Sequence, residues 1–495
     1  MSKRVLILVL LPALVFVLAG VAQAWQGRMA GMGDPYGLVA DESDYLIHPA
    51  KIAQGEGVRF YGDYRFTYTG VTDWDVDNEI LGSERSFDMS GHEYRHTALL
   101  GAAFPLWLGR MGVFFTYYGE RGAFDGDLGP GATSYIVERD IGLDSFALRL
   151  LYGLPLGSFK LGAELGFAYC QEEQRQFWYQ TDLSAADQNF PFPNFDVFAP
   201  PFIPYDSAYW EIPFKAGVDG KVGPLDLEFT LRGGVIVSGD NTLAIEVQSP
   251  VGVVTSSGDL DGDVTGWRIG ADLWARYPLS EGVVLPFLFK IDYRQKSRDG
   301  DGFLAPFSVD YTTEETSLNL QAGGGVEGKL SEKTRIAAGL YYGFLHDTAN
   351  FSFTAPILDC DYSDYPALTE HRAIVRLAEE HEFSPSFAMR LGLEFFYGWA
   401  AQDLTYTFYI PPTTVALPFS LHGSHWGIGA SLGGTIKLKP ITLEPFFTVG
   451  YQSLRLEGDG QESVDGVPLP GAIFEREDMR NQWAIGGGVS VLFDL

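Results

Sequence analysis

The chain has 495 residues, a formal net charge of −30, 59 glycines, 14% aromatic residues and two cysteines. Such acidity argues against a nucleic-acid partner or attraction to anionic phosphates. Two cysteines are too few for a disulfide scaffold or a zinc module. Length alone would suggest three domains, but no composition shift divides the chain.

Residues 1–24 read as a secretory signal peptide. Lys3 and Arg4 are basic, Val5 to Leu18 is apolar, and Ala22-Gln23-Ala24 precedes Trp25 as a small-residue cleavage site. No cysteine follows to carry a lipid anchor, and no later apolar run of about 20 residues could form a membrane helix. A merely secreted or periplasmic protein remains an alternative at this point.

Residues 25–56 are turn-rich and lack periodicity. Residues 57–495 then alternate. From Phe387 the odd positions are Phe387, Met389, Leu391, Leu393, Phe395 and Tyr397, and the even ones are Ala388, Arg390, Gly392, Glu394, Phe396 and Gly398. A strand sends successive side chains to opposite faces, so one face is greasy and the other small or charged. Similar segments fall at 57–69, 92–104, 110–119, 141–153, 159–171, 207–219, 225–237, 264–277, 284–294, 314–328, 334–345, 370–380, 387–398, 424–437, 442–456 and 482–494. Links after even-numbered strands are tight, as in Leu154–Ser158 and Leu438–Ile441, and links after odd-numbered strands are long, as in Glu172–Asp206. An even strand count with all long loops at one end predicts an all-β fold: a transmembrane antiparallel up-and-down β-barrel of about sixteen strands, with fourteen as the alternative count. The greasy face would then meet lipid, and both chain ends would lie in the periplasm.

Gly31-Met32-Gly33, Tyr36-Gly37, Ala40-Asp41-Glu42 and His48-Pro49-Ala50 come in this order before the first strand. This series resembles the plug of the FadL-type outer-membrane fatty acid transporters, whose pattern is G-x-G, A-Y, A-D-D and N-P-A. His48 stands where that family has Asn, and its barrels have fourteen strands. The resemblance implies a barrel filled by residues 25–56, with Gly31, Gly33, Tyr36, Asp41, His48, Pro49 and Ala50 in the plug. It also implies passive uptake of hydrophobic molecules that leave past the plug or through a gap in the wall. Related scaffold barrels share the signature, so a non-transporting assembly barrel is a second alternative, and a general porin for small hydrophilic solutes is the first.

Four other groups of residues bear on function. Phe190, Phe192, Phe195, Phe198 and Phe202 lie in the third long link, and Phe307 and Phe419 lie in others. They are expected either to form a greasy vestibule or simply to cap the barrel. Arg232, Arg268, Arg276, Arg294, Arg372, Arg376, Arg390 and Glu394 fall on the inward face, as salt bridges or as an anion-selecting wall. Asp73, Asp75, Asp77 and Glu84 carry an EF-hand-like spacing that could hold Ca2+, against a plain solvated acidic loop. Cys170 and Cys360 are a candidate disulfide in an oxidising compartment.

No G-x-S-x-G, H-E-x-x-H or P-loop occurs, so no enzyme is expected. The expected partners are outer-membrane lipid of a Gram-negative bacterium, the assembly machinery of that membrane and a small hydrophobic ligand, with no resident cofactor.

Overall fold

The computed structural model describes residues 30, 32, 38–39, 48–80, 83–129, 135–180, 205–248, 254–304, 307–355, 358–410, 413–464 and 466–494. The signal-peptide reading of residues 1–24 lies outside them. The strands are β1 (Arg59–Ile80), β2 (Ser83–Leu106), β3 (Gly109–Gly129), β4 (Tyr135–Leu156), β5 (Phe159–Gln180), β6 (Tyr205–Val222), β7 (Leu225–Gln248), β8 (Val254–Ser280), β9 (Val283–Leu304), β10 (Phe307–Lys329), β11 (Thr334–Ala355), β12 (Leu358–Ser384), β13 (Phe387–Ile410), β14 (Thr413–Leu438), β15 (Ile441–Val464) and β16 (Val467–Asp494). Each pairs antiparallel with its neighbours in chain order, and β1 pairs with β16 from Arg59↔Asp494 to Ile80↔Phe474. The sheet therefore closes as a sixteen-stranded barrel with no open edge, which is what a chain needs if all its backbone groups are to be paired without water.

The greasy face is the outside. On β13 the outward row Phe387, Met389, Leu391, Leu393, Phe395, Tyr397 and Trp399 is 37–58% exposed, while Ala388, Arg390 and Ala400 are buried. The same holds for Phe229, Leu231 and Val235 on β7 and for Phe287 and Phe289 on β9. A soluble sandwich would show the reverse. Aromatic pairs ring this belt on its upper side: Tyr68–Trp483, Tyr169–Trp210, Trp267–Tyr293 and Trp426–Tyr451, with ring centroids 5.1–5.5 Å apart. Such a girdle suits the boundary between hydrocarbon and water.

The links after odd-numbered strands need correction. They are mostly strand, not loop: only two residues separate β1 from β2, β9 from β10, β11 from β12 and β13 from β14. Strands run from 18 residues in β6 to 28 in β16, whereas about 10 suffice to cross a membrane. Above the girdle the outward side chains no longer face hydrocarbon and the apolar alternation fades. The backbone still finds its partners on both sides and stays extended.

At the short-turn end the bore holds chain. Pro49–Gln54 forms a 3₁₀ helix with proline at its start, where the missing N–H costs nothing. The Lys51 N–H donates to His48 O at 3.0 Å and the Gly55 N–H to Ile52 O at 3.3 Å. Ile52 packs in one buried cluster with Tyr61, Leu99, Ala103, Phe114 and Leu151. Met32, Leu38 and Val39 are buried against Ala337 of β11 and Ala378 of β12.

Candidate functional site

The bore is shaped to receive this N-terminal chain. A Cβ on Gly162 of β5 would collide with the backbone of Pro49 and Ala50, and one on Gly392 of β13 with the backbone of Met32. Only glycine lets two backbones approach so closely. Lys51 pairs with Glu228 of β7 at 2.9 Å and lies 4.5 Å from the ring centroid of the buried Trp274 of β8. Gln54 Nε2 donates to Asp219 Oδ2 at 2.5 Å, and Arg110 Nη1 donates to Gly57 O at 2.7 Å. His48 is buried, with Nδ1 hydrogen-bonded to Thr230 Oγ1 and Nε2 3.5 Å from Glu228. Burial, then the nearby charges of Lys51, Lys215 and Arg232, lower its pKa to about 3. The ring is therefore neutral at pH 7, and Glu228 serves Lys51. Of the plug residues read from sequence, His48, Pro49 and Ala50 come together here, while Gly31, Gly33, Tyr36 and Asp41 lie outside the described residues.

Above this packed end lies a cavity of about 540 Å³ walled by β3 to β9. Arg149, Glu164, Lys215, Arg232 and Arg268 supply polar lining, and Ala168, Cys170, Pro213 and Ile236 supply apolar lining. Phe214, Trp267 and Ile269 also line it, although they belong to the outward face and are well exposed. The cavity thus draws on both faces of one wall.

That wall is irregular at the same height. Between β5 and β6 the pairing skips from Leu165↔Phe214 to Ala168↔Glu211, leaving Gly166 and Phe167 opposite Ile212 and Pro213 without ladder partners. Proline has no N–H to give a ladder. The β6–β7 register shifts at Trp210/Glu211, and the β7–β8 register shifts between Ile236 and Asp240. Gly233 and Gly234 sit between these breaks, under Phe214 on the outside and under Glu211 and Arg268 on the inside. Pro213 is the signal of this break in the sequence, since a proline within a strand marks an interrupted ladder.

Each inward cation named from the sequence has a carboxylate partner. Arg232 bonds Asp272 and Asp292, Arg276 bonds Glu327, Arg268 meets Glu211 at 2.7 Å, and Arg294 lies 3.9 Å from Glu315. Arg372–Glu370, Arg376–Glu394 and Arg390–Glu380 are each 2.6 Å. Arg268 and Arg294 stand directly opposite one another on β8 and β9, both about half exposed. Residues the sequence did not single out include Glu172, Lys296 and Arg298, whose meeting depends on the shape of the wall.

Cys170 is a free, buried thiol with Sγ 3.3 Å from Ser145 Oγ, which corrects the proposed disulfide. Cys170 is on β5 and Cys360 on β12, seven strands apart in the barrel order. Phe419 is no loop residue: it is buried on the inner face of β14. Phe307 is the first residue of β10, and Phe190, Phe192, Phe195, Phe198 and Phe202 lie outside the described residues. Asp73, Asp75 and Asp77 lie along β1 and Glu84 in β2, on two extended arms rather than in one coiled loop. The side chains of Asp73, Asp77 and Glu84 lie outside what the structure describes, and among the described residues no group of three or more His, Cys, Asp or Glu is placed to hold a metal ion.

No protein-family model matches the chain, and no curated protein matches it. Among solved structures, a FadL homologue of Pseudomonas aeruginosa is similar at 11% identity, over 96% of this chain and 99% of that one, with a TM-score of 0.44. The toluene transporter TodX of Pseudomonas putida is similar at 13% identity over 96% and 99%, with a TM-score of 0.42. The toluene transporter TbuX of Ralstonia pickettii is similar at 11% identity over 96% and 99%, with a TM-score of 0.38.

Proposed function

We propose that this barrel sits in the outer membrane of a Gram-negative bacterium and passes small hydrophobic molecules across it by diffusion. The N-terminal segment blocks the bore, and the uptake itself calls on no cofactor or energy source. The observation that carries this reading is the cavity behind β6–β8, lined at once by inward Glu211 and Arg268 and by outward Phe214, Trp267 and Ile269. An apolar molecule leaving water gains roughly 25 cal/mol per Å² of surface it buries, so a route between bore and bilayer core suits such a solute. A hydrophilic solute gains nothing there. Free passage of sugars would need an open bore, and the short-turn end is filled by Ile52 and its neighbours.

The test is uptake by the intact mature barrel in proteoliposomes. A radiolabelled long-chain fatty acid or a monoaromatic hydrocarbon should enter faster than in protein-free vesicles, and the vesicles should not swell in sugar solutions. Pro213→Val, which returns an N–H to β6, should slow uptake while the folded barrel persists. Swelling in sugars with no gain in hydrophobic uptake would favour a general porin.

A further inference from the structure

We propose that Glu172 is the keystone of an ionic crosspiece that shuts the cavity on the side away from the short turns. Glu172 projects from β5 and accepts hydrogen bonds from Lys296 and from Arg298 (2.7 Å), both of β9, and from the Tyr209 hydroxyl of β6 (2.7 Å). Arg298 also bonds Glu315 of β10 and donates to Ser207 Oγ at 3.3 Å. Ser207 in turn donates to Asn241 of β7, and Asn241 to the Tyr311 hydroxyl of β10.

These contacts require the wall to bend inward. β5 and β9 are four strands apart in the barrel order, about 19 Å measured along a sheet with ordinary strand spacing. A direct bond between their side chains cannot bridge an open, round lumen of that arc. A buried cluster at the same level says the same: Cys170 of β5, Tyr209 of β6 and Val264 of β8 touch one another, with Ile236 of β7 packed against them. Inner faces of non-neighbouring strands thus meet where a bore would otherwise run.

The crosspiece sets two carboxylates, Glu172 and Glu315, against Lys296 and Arg298, whose side chains are only 1% and 3% exposed, while Glu315, which Arg294 also approaches at 3.9 Å, is 34% exposed. None of these four side chains has a buried polar atom without a hydrogen-bond partner. A buried ion pair is a poor source of stability but breaks sharply when one partner goes, because the charge left behind must reach water. Loss of Glu172 leaves two buried cations to share Glu315, and parting of β5 from β9 is how they would be hydrated. The inference concerns access to the cavity, not the molecule carried, so the uptake test above could fail while this one holds, and the reverse.

Cys170 provides a native reporter. It lines the cavity two residues from Glu172, on the same face of β5. In cells carrying the full chain with Cys360→Ser, labelling of Cys170 by N-ethylmaleimide would be compared with labelling by a sulfonated, membrane-impermeant maleimide added outside. The lipophilic reagent should react at least about tenfold faster, since thiol access follows the population of the open state. Glu172→Gln should raise the rate for the sulfonated reagent by about tenfold or more, and Glu172→Asp should restore the slow rate. Equal rates for the two reagents on the unaltered Glu172 protein would overturn the proposal, and that comparison holds whether or not Glu172→Gln folds. An unchanged rate in a Glu172→Gln barrel that keeps its folded mobility on unheated gels would overturn it as well.

Discussion

Two stretches of the wall use the same architecture to opposite ends. Between β13 and β14 the ladder runs unbroken from Phe387↔Ile436 to Ile410↔Thr413, and from Phe387 to Trp399 every outward position of β13 is apolar. Around β5 to β8 the ladder breaks three times at the height of the cavity, small residues and a proline replace bulky ones, and the cavity lies behind. The inward charges follow suit. Arg390 is buried and bonded to Glu380, Thr435 and Glu444, while Arg268 is half exposed to the cavity. Here the regular stretch of ladder encloses Arg390, and the irregular one leaves Arg268 facing space. Closure and passage are thus properties of neighbouring strands in one sheet, decided by which side chains fill the ladder.

Substitutions can widen or erase that contrast. The largest effect is expected for Arg390→Met, which takes the cation away from the buried Glu380 and Glu444 and should cost about 3–5 kcal/mol. It should appear as a lower temperature for loss of folded-barrel mobility on unheated gels. Gly162→Val comes next. Its side chain cannot coexist with the backbone of Pro49 and Ala50, and overpacking of this kind costs about 1–3 kcal/mol. It should expel the N-terminal segment and make it sensitive to added protease, with the barrel intact.

Acid should act in the same direction. His48 binds a proton near pH 6.5 when free and only near pH 3 when buried, so its contribution to docking is complete above 6.5. It is lost as pH falls through the window from 6.5 toward 3, by about 1.4 kcal/mol per unit. Protease sensitivity of the segment should therefore rise between pH 7.5 and 5, and His48→Asn should remove that step. The smallest effect belongs to Arg268→Met, where solvent screens the pair with Glu211 and about 1 kcal/mol or less is at stake. Equal losses of stability from Arg390→Met and Arg268→Met would erase the contrast between the two walls.

Much of the barrel was legible because lipid imposes a strict rule: along β13 every second residue must be apolar, and the sequence says so without a gap. Beyond the Tyr and Trp girdle that rule lapses, so the far halves of β1, β9 and β13 read as loops although their backbones stay paired. The inward cations were legible from the same parity. Their partners were not, because Arg390 meeting Glu444 depends on register across β14 to β15, and Glu172 meeting Lys296 depends on a bend in the wall. Cys170 and Cys360 show the limit most plainly: two cysteines invite a pairing, but Cys170 is a free thiol and the two stand on strands seven apart in the barrel order.

Single-channel recording in planar bilayers tests the central claim, a filled bore, most directly. The mature chain should hold the membrane near its closed level, and a chain that lacks residues 25–56 and also carries Glu172→Gln should carry a large current. A large, steady conductance from the mature chain itself would contradict the account and leave an open porin in its place.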